Sequence, residues 1–173
     1  MMTGPAWVIR DEQPGDEAEV RRVVYAAFHN HPQHAPGAEP TEPAIVDRLR
    51  ATGAMTLSLV AVAEGEVIGH IAFSRVLVDD EDVRWFGLGP VAVRPDRQRK
   101  GIGAALIREG LARLRARGGA GVVLVGEPEY YGRFGFRAEP RLTLTGLPPE
   151  YFLCLPFTDT VPKGVVTYDA AFA

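Results

Sequence analysis

The chain has 173 residues, of which 46% are hydrophobic and 24% charged, and a formal net charge of −3; this fits one globular domain over residues 1–173 and is short for two. The acidic balance gives no overall electrostatic reason to bind nucleic acid or an anionic membrane, and no apolar run approaches the roughly 20 residues that cross a bilayer. Cys154 is the lone cysteine, which excludes an intramolecular disulfide and argues against structural zinc, so the expectation is a cytoplasmic, unanchored protein.

Residues 16–28 predict the first helix, because Val20, Val23, Val24, Ala27 and Phe28 recur on one face. Asp16 and Glu19, just after the Pro14–Gly15 break, have the spacing of a capping box. His29 to Pro40 holds three histidines, three prolines and a glycine and reads as a loop. Thr41 then offers an N-cap for a short helix that ends near Gly53, with Ile45 and Leu49 on its apolar edge.

From Leu57 the period changes. LSLVAVAE and EVIGHIAFSRVLV are rich in β-branched residues and are separated by Glu64–Gly65, which predicts a hairpin. Trp85 to Val93 reads as a further strand, followed by a helix from about Ile102 to Arg117 that Gly118–Gly119 ends. Ala104, Ile107, Leu111 and Leu114 share one face of that helix. GVVLVG reads as a strand buried on both faces, and Tyr130 to Phe136 as a short helical or turn segment. After Pro140, LTLTGL and GVVTYDAAF read as strands, whereas the proline-broken, aromatic LPPEYFLCLPF reads as a surface loop or lid. Antiparallel strands followed by strand, helix, strand imply a mixed sheet with helices on its faces, an α/β or α+β architecture.

The densest chemistry lies in VAVRPDRQRKGIGAA, where a strand leads through a basic turn into a helix start. First-turn N–H groups have no internal partners and the helix dipole is positive there, so the arrangement makes an anion site. Gly101 and Gly103 let the backbone approach closely, and Arg97, Arg99 and Lys100 add charge. A Rossmann fingerprint fails because Leu106 stands at the third glycine position. A phosphate-binding P-loop fails because Lys100 precedes its glycine and no Ser or Thr is placed to hold magnesium.

Gln98, Gly101 and Gly103, after the strand VAV, resemble the QxxGxG acetyl-CoA signature of the GNAT superfamily of N-acetyltransferases. Tyr131-Gly132-Arg133-Phe134-Gly135-Phe136 resembles the Y-x-x-x-G-F pattern that follows it in that family, and the likeness runs from about Val8 to Phe136. The resemblance implies a twisted mixed sheet of about six to seven strands flanked by helices. It implies acetyl-CoA as cosubstrate, with the pyrophosphate wrapped by Gln98, Arg99, Lys100, Gly101, Ile102, Gly103 and Ala104, and the pantetheine paired with Val91, Ala92 and Val93. A backbone N–H near Leu88 or Gly89 would polarise the thioester carbonyl, and Tyr131 stands where the family places its general acid. If the local helix is shorter than usual, Tyr130 and Tyr131 exchange roles. Where the family often has an asparagine on the strand end, this chain has Gly126-Glu127-Pro128.

Glu127 is the first candidate to take the amine's proton, beside the alternatives of a water chain or a plain loop carboxylate. His70 reads as a structural histidine of the hairpin, and His29, His31 and His34 lack the fixed carboxylate or cysteine that a metal site needs. Cys154 reads as a buried structural thiol. The activity implied is acetyl transfer to a primary amine of a small molecule or peptide. An acyl-CoA sensor without turnover is the alternative, and nucleic-acid binding through Arg94, Arg97, Arg99 and Lys100 ranks behind both. The aromatic, proline-rich stretch from Tyr151 to Phe157 suggests a surface for a second subunit.

Overall fold

A computed structural model describes residues 6–29 and 37–173 of the chain. Strand β1 (Val8–Asp11) precedes helices α1 (Glu17–Phe28) and α2 (Glu42–Thr52), and the hairpin β2 (Met55–Ala63) and β3 (Glu66–Arg75) follows. A short β4 (Leu77–Val78), the long β5 (Trp85–Val93), α3 (Ile102–Ala116), β6 (Gly121–Val125) and a single turn, α4 (Pro128–Tyr131), come next. The chain ends in β7 (Arg137–Ala138), β8 (Leu142–Thr143), β9 (Phe152–Pro156) and β10 (Gly164–Thr167).

Among the described residues, seven strands form one mixed sheet in the order β1-β2-β3-β5-β6-β9-β7, and β4, β10 and β8 form a second. Within the large sheet only β5 and β6 run parallel, because α3 carries the chain back across one face between them. Ile71, Phe73, Leu106, Leu114, Val122 and Leu124 fill the layer under α3. On the opposite face α1 and α2 bury Val20, Val24, Val46, Val60 and Ala92, while the small sheet closes over Trp85, Val123, Cys154 and Val166. No helix among the described residues is long and apolar enough to cross a membrane.

Gly110 lets α3 lie this close to the sheet, since a Cβ there would collide with the Phe73 ring. A polar network ties the other face together. Arg50 of α2 donates to both oxygens of Glu12 (2.9 and 3.0 Å), and Glu12 also accepts from Ser58 Oγ at 2.8 Å. The end of β1, α2 and the hairpin are thereby joined through one carboxylate that is itself largely buried.

Several elements differ from their sequence reading. β1 had no clear pattern in four residues, and its edge position beside β2 supplies the order. The capping box does not form: Asp16 instead binds Arg10 at 2.7 Å and the Gln13 N–H, and Glu19 accepts from the Val67 N–H. α2 turns on Pro43, Val46 and Leu49 rather than on Ile45 and Leu49. EVIGHIAFSRVLV breaks at Val76, and its end, β4, joins the small sheet. β6 is not buried on both faces throughout, because Val125 is 46% exposed.

The largest correction concerns LPPEYFLCLPF. Its prolines bracket a strand rather than prevent one, and β9 pairs with β6 from Phe152 to Pro156 with Phe152, Leu153 and Cys154 buried. The apolar character that suggested a lid is used inside the sheet through Phe152 and Leu153, while Tyr151 just before β9 stays 37% exposed.

Candidate active site

β5 pairs with β6 only through Trp85, Phe86 and Gly87. Past Gly87 the parallel strands part, so Leu88–Val93 keep β3 on one side and, among the described residues, no strand on the other. One extra residue on β5 between the pairs Phe73–Leu88 and Ile71–Val91 makes a bulge at Gly89–Pro90, with Gly89 at φ +142°. Unpaired N–H and C=O groups along such an edge suit an extended ligand that adds itself as a strand.

A cleft of about 470 Å³ follows this edge. Val91, Ala92, Val93, Gln98, Gly103, Ile107 and Tyr130 line one side, and Ala26, Ala27, Phe28 and His29 from the end of α1 line the other. The structure thus brings together five of the sequence-predicted cofactor residues, namely Val91, Ala92, Val93, Gln98 and Gly103. Leu88 is almost wholly buried in the core, and Arg99 and Lys100 are exposed on the turn. The α1 residues were missed, and their only signal was the apolar face of α1 running through Ala27 and Phe28 into the loop; Tyr130, named with Tyr131 in case the local helix is short, lines the cleft from the single turn of α4, whereas Tyr131 is not among the cleft residues.

At one end of the cleft the chain makes a turn at Pro95–Arg97 and enters α3 behind Gly101, at φ +84°. Among the described residues no side chain caps α3, and the N–H groups of Ile102, Gly103 and Ala104 lie within the four that a helix leaves without internal partners. The Gln98 side-chain amide donates to the Val93 carbonyl at 3.0 Å and folds the turn back onto the strand. Arg94 is engaged by Asp96 at 2.7 Å and Glu66 at 3.1 Å. A Cβ on Gly103 would lie 3.7 Å from Val93 Cγ2 and 3.9 Å from Tyr130 Oη. The protein itself has room for that carbon, but the carbon would occupy the cleft.

The two tyrosines of α4 face different surroundings. Tyr130 Oη stands near Gly103, at the anion end. The Tyr131 ring packs on Gly126 at the end of β6, where a Cβ would collide with it, and meets Phe136 edge-on at 6.2 Å. Burial, with Tyr130 beside it, pushes the Tyr131 phenol up to about 12. Glu127 is exposed just before α4 and is not among the cleft residues.

Of the histidines, His70 is fully buried beneath the helices, while His29 lines the cleft and stacks on Tyr25 with centroids 5.2 Å apart. His31 and His34 lie outside the described residues. Among the described residues no group of three or more His, Cys, Asp or Glu is placed to hold a metal ion. Cys154 is buried, and burial and Glu139 push its thiol up to about 12.

Known proteins with this arrangement are readily found. Residues 8–138 match the family model of the acetyltransferase (GNAT) domain. A curated relative from Escherichia coli (strain K12), named an uncharacterized N-acetyltransferase, YhbS, is 46% identical over 130 residues, 75% of this chain and 72% of the relative. A GNAT family acetyltransferase from Brucella melitensis, solved in complex with acetyl-CoA, superposes with a TM-score of 0.84 at 49% identity, covering 96% of this chain and 98% of that one. The Escherichia coli YhbS structure in complex with CoA gives a TM-score of 0.87 at 33% identity, covering 99% and 96%.

Proposed function

Because the chain belongs to the GNAT acetyltransferase family, we propose that it moves the acetyl group of acetyl-CoA directly to a primary amine of a small molecule or peptide in the cytoplasm. The observation that carries this reading is the unpaired edge of β5, which leads straight to the uncapped start of α3. A pantetheine arm has amides to pair along such an edge, and its diphosphate then meets the α3 N–H groups. Gly103 supports the same reading, since a Cβ there would stand beside Val93 and Tyr130, two residues of the cleft wall.

Bound acetyl-CoA supplies a thioester that an amine attacks. Backbone groups of Val91, Ala92 and Val93 hold the arm, and the segment Gln98 to Ala104 holds the diphosphate. A backbone N–H near Leu88 or Gly89, at the bulge on β5, would stabilise the negative charge that develops on the thioester oxygen. Tyr131, packed on Gly126 beside the parted strands, keeps its proton through neutral pH and gives it to the departing thiolate. Glu127 is exposed next to Gly126 and outside the cleft lining, so the proton that the amine loses reaches it through water.

Calorimetric titration with acetyl-CoA tests the cofactor assignment, and CoA release across a panel of amines, followed with a thiol reagent, tests turnover. Micromolar binding with release by at least one amine, and a drop of about 10²-fold or more in kcat for Tyr131→Phe, is the expected result. Binding without release from any amine would leave the sensor reading, and no binding would end both.

A further inference from the structure

Resting on that cofactor reading, we propose that Arg133 is the recognition residue for the terminal phosphomonoester at the nucleotide end of the cosubstrate. Its guanidinium is held at two points: Nε donates to the Tyr130 carbonyl at 2.9 Å, and its carbon lies 4.4 Å from the centroid of the Tyr130 ring. Both terminal nitrogens stay uncommitted, and no carboxylate pairs with the side chain among the described residues. An arginine fixed by its stem and ring contact, with its outer nitrogens uncommitted, has little freedom left to lose on meeting an anion.

The position selects which anion. Tyr130 places its hydroxyl near Gly103 and so faces the diphosphate end of the cleft. Arg133 stacks on that same ring and is itself exposed. A ligand whose diphosphate sits on α3 carries its nucleoside outward past Tyr130. The next anionic group it presents is a phosphate on the ribose, which is dianionic near neutral pH and accepts two parallel N–H bonds. Arg99 and Lys100 differ from Arg133 in having no contact among the described residues that fixes them, and both are exposed. They add diffuse charge, whereas Arg133 adds geometry.

Calorimetric titration with CoA and with 3′-dephospho-CoA, on the native chain and on Arg133→Gln, tests the assignment. The native protein is expected to prefer CoA by about tenfold, and Arg133→Gln to bind both ligands equally with its affinity for 3′-dephospho-CoA unchanged. Arg115→Gln is the control, because Arg115 stacks on Phe157 about 18 Å along α3 from Gly103 at 1.5 Å per residue, and it should keep the native preference. A preference that persists in Arg133→Gln, or that is absent from the native chain, overturns the role of Arg133 and leaves the cofactor reading intact. A native chain that binds neither ligand removes both.

Discussion

His70 Nε2 lies 2.8 Å from Ser58 Oγ, and that distance fixes the state of a fully buried imidazole. The one Ser58 hydroxyl hydrogen is given to Glu12, so the Ser58 oxygen must accept and His70 Nε2 must donate. Nδ1 is then the bare nitrogen, and it has no partner among the described residues. Burial is the largest cause holding His70 down at about 4; Glu12 pulls upward and Arg50 pushes downward. At neutral pH the 3.6 Å approach of His70 to Glu12 is therefore not an ion pair.

A pH dependence of stability follows. The unfolded chain binds a proton at His70 below about 6.5, while the folded chain does so only near 4, so stability falls as pH drops through this window and levels off beneath it. The full loss is about 3 kcal/mol, at about 1.4 kcal/mol per pH unit. Carboxylates with lowered values, such as Asp16, lose their contribution only at lower pH and leave the window clear. Urea midpoints from pH 7 to 4.5 should fall steadily for the native chain and much less for His70→Gln; parallel curves would show that His70 titrates normally.

Gly103→Ala and Gly110→Ala are the same substitution in one helix and should act on different properties. At Gly110 the new methyl meets the Phe73 ring, and overpacking of this kind costs about 1–3 kcal/mol. At Gly103 it meets nothing closer than 3.7 Å, and alanine favours a helix by up to about 1 kcal/mol. Thermal melts should show Gly110→Ala destabilised and Gly103→Ala no less stable than the native chain. Acetyl-CoA titration should show the reverse order, with Gly103→Ala weakened about tenfold or more and Gly110→Ala close to native.

Those two glycines also mark what was legible in the sequence. Gly103 sits in a motif whose spacing names it, whereas Gly110 looks like an ordinary interruption of a helix until Phe73 is placed against it. The parallel β5–α3–β6 unit was readable because periodicity and the glycine stop at Gly118–Gly119 agree. β9 was not, since Pro148, Pro149 and Pro156 give loop signals that partnership with β6 overrides. The cleft wall from α1 was hidden for a similar reason: that Ala26 to His29 face β5 follows from tertiary packing rather than from any local pattern.

Cys154 should be inert in the folded chain. Its thiol is buried and held up at about 12, and only the thiolate reacts. A chromogenic disulfide reagent at pH 8 should titrate less than a tenth of the thiol in the native protein and all of it in denaturant. Fast native labelling would mean that β9, which carries Cys154 between β6 and β7, opens far more often than a central strand should.

Tyr131 makes the most direct claim on the chemistry. A general acid must keep its proton over the range in which its partner reaction runs, and burial holds this phenol protonated to about 12. The acceptor amine attacks only when neutral, so kcat/KM should climb with pH until the base form of the amine predominates. The plateau should then extend beyond pH 10, where an ordinary tyrosine would already be ionised. The Tyr131→Phe variant should keep the rising limb, which belongs to the amine, while losing height across the whole profile. A native profile that turns down near pH 9 with an amine of higher pKa would point to a different donor with a lower pKa, and the same profile measured on Tyr130→Phe would show whether that donor is its neighbour at the anion end of the cleft.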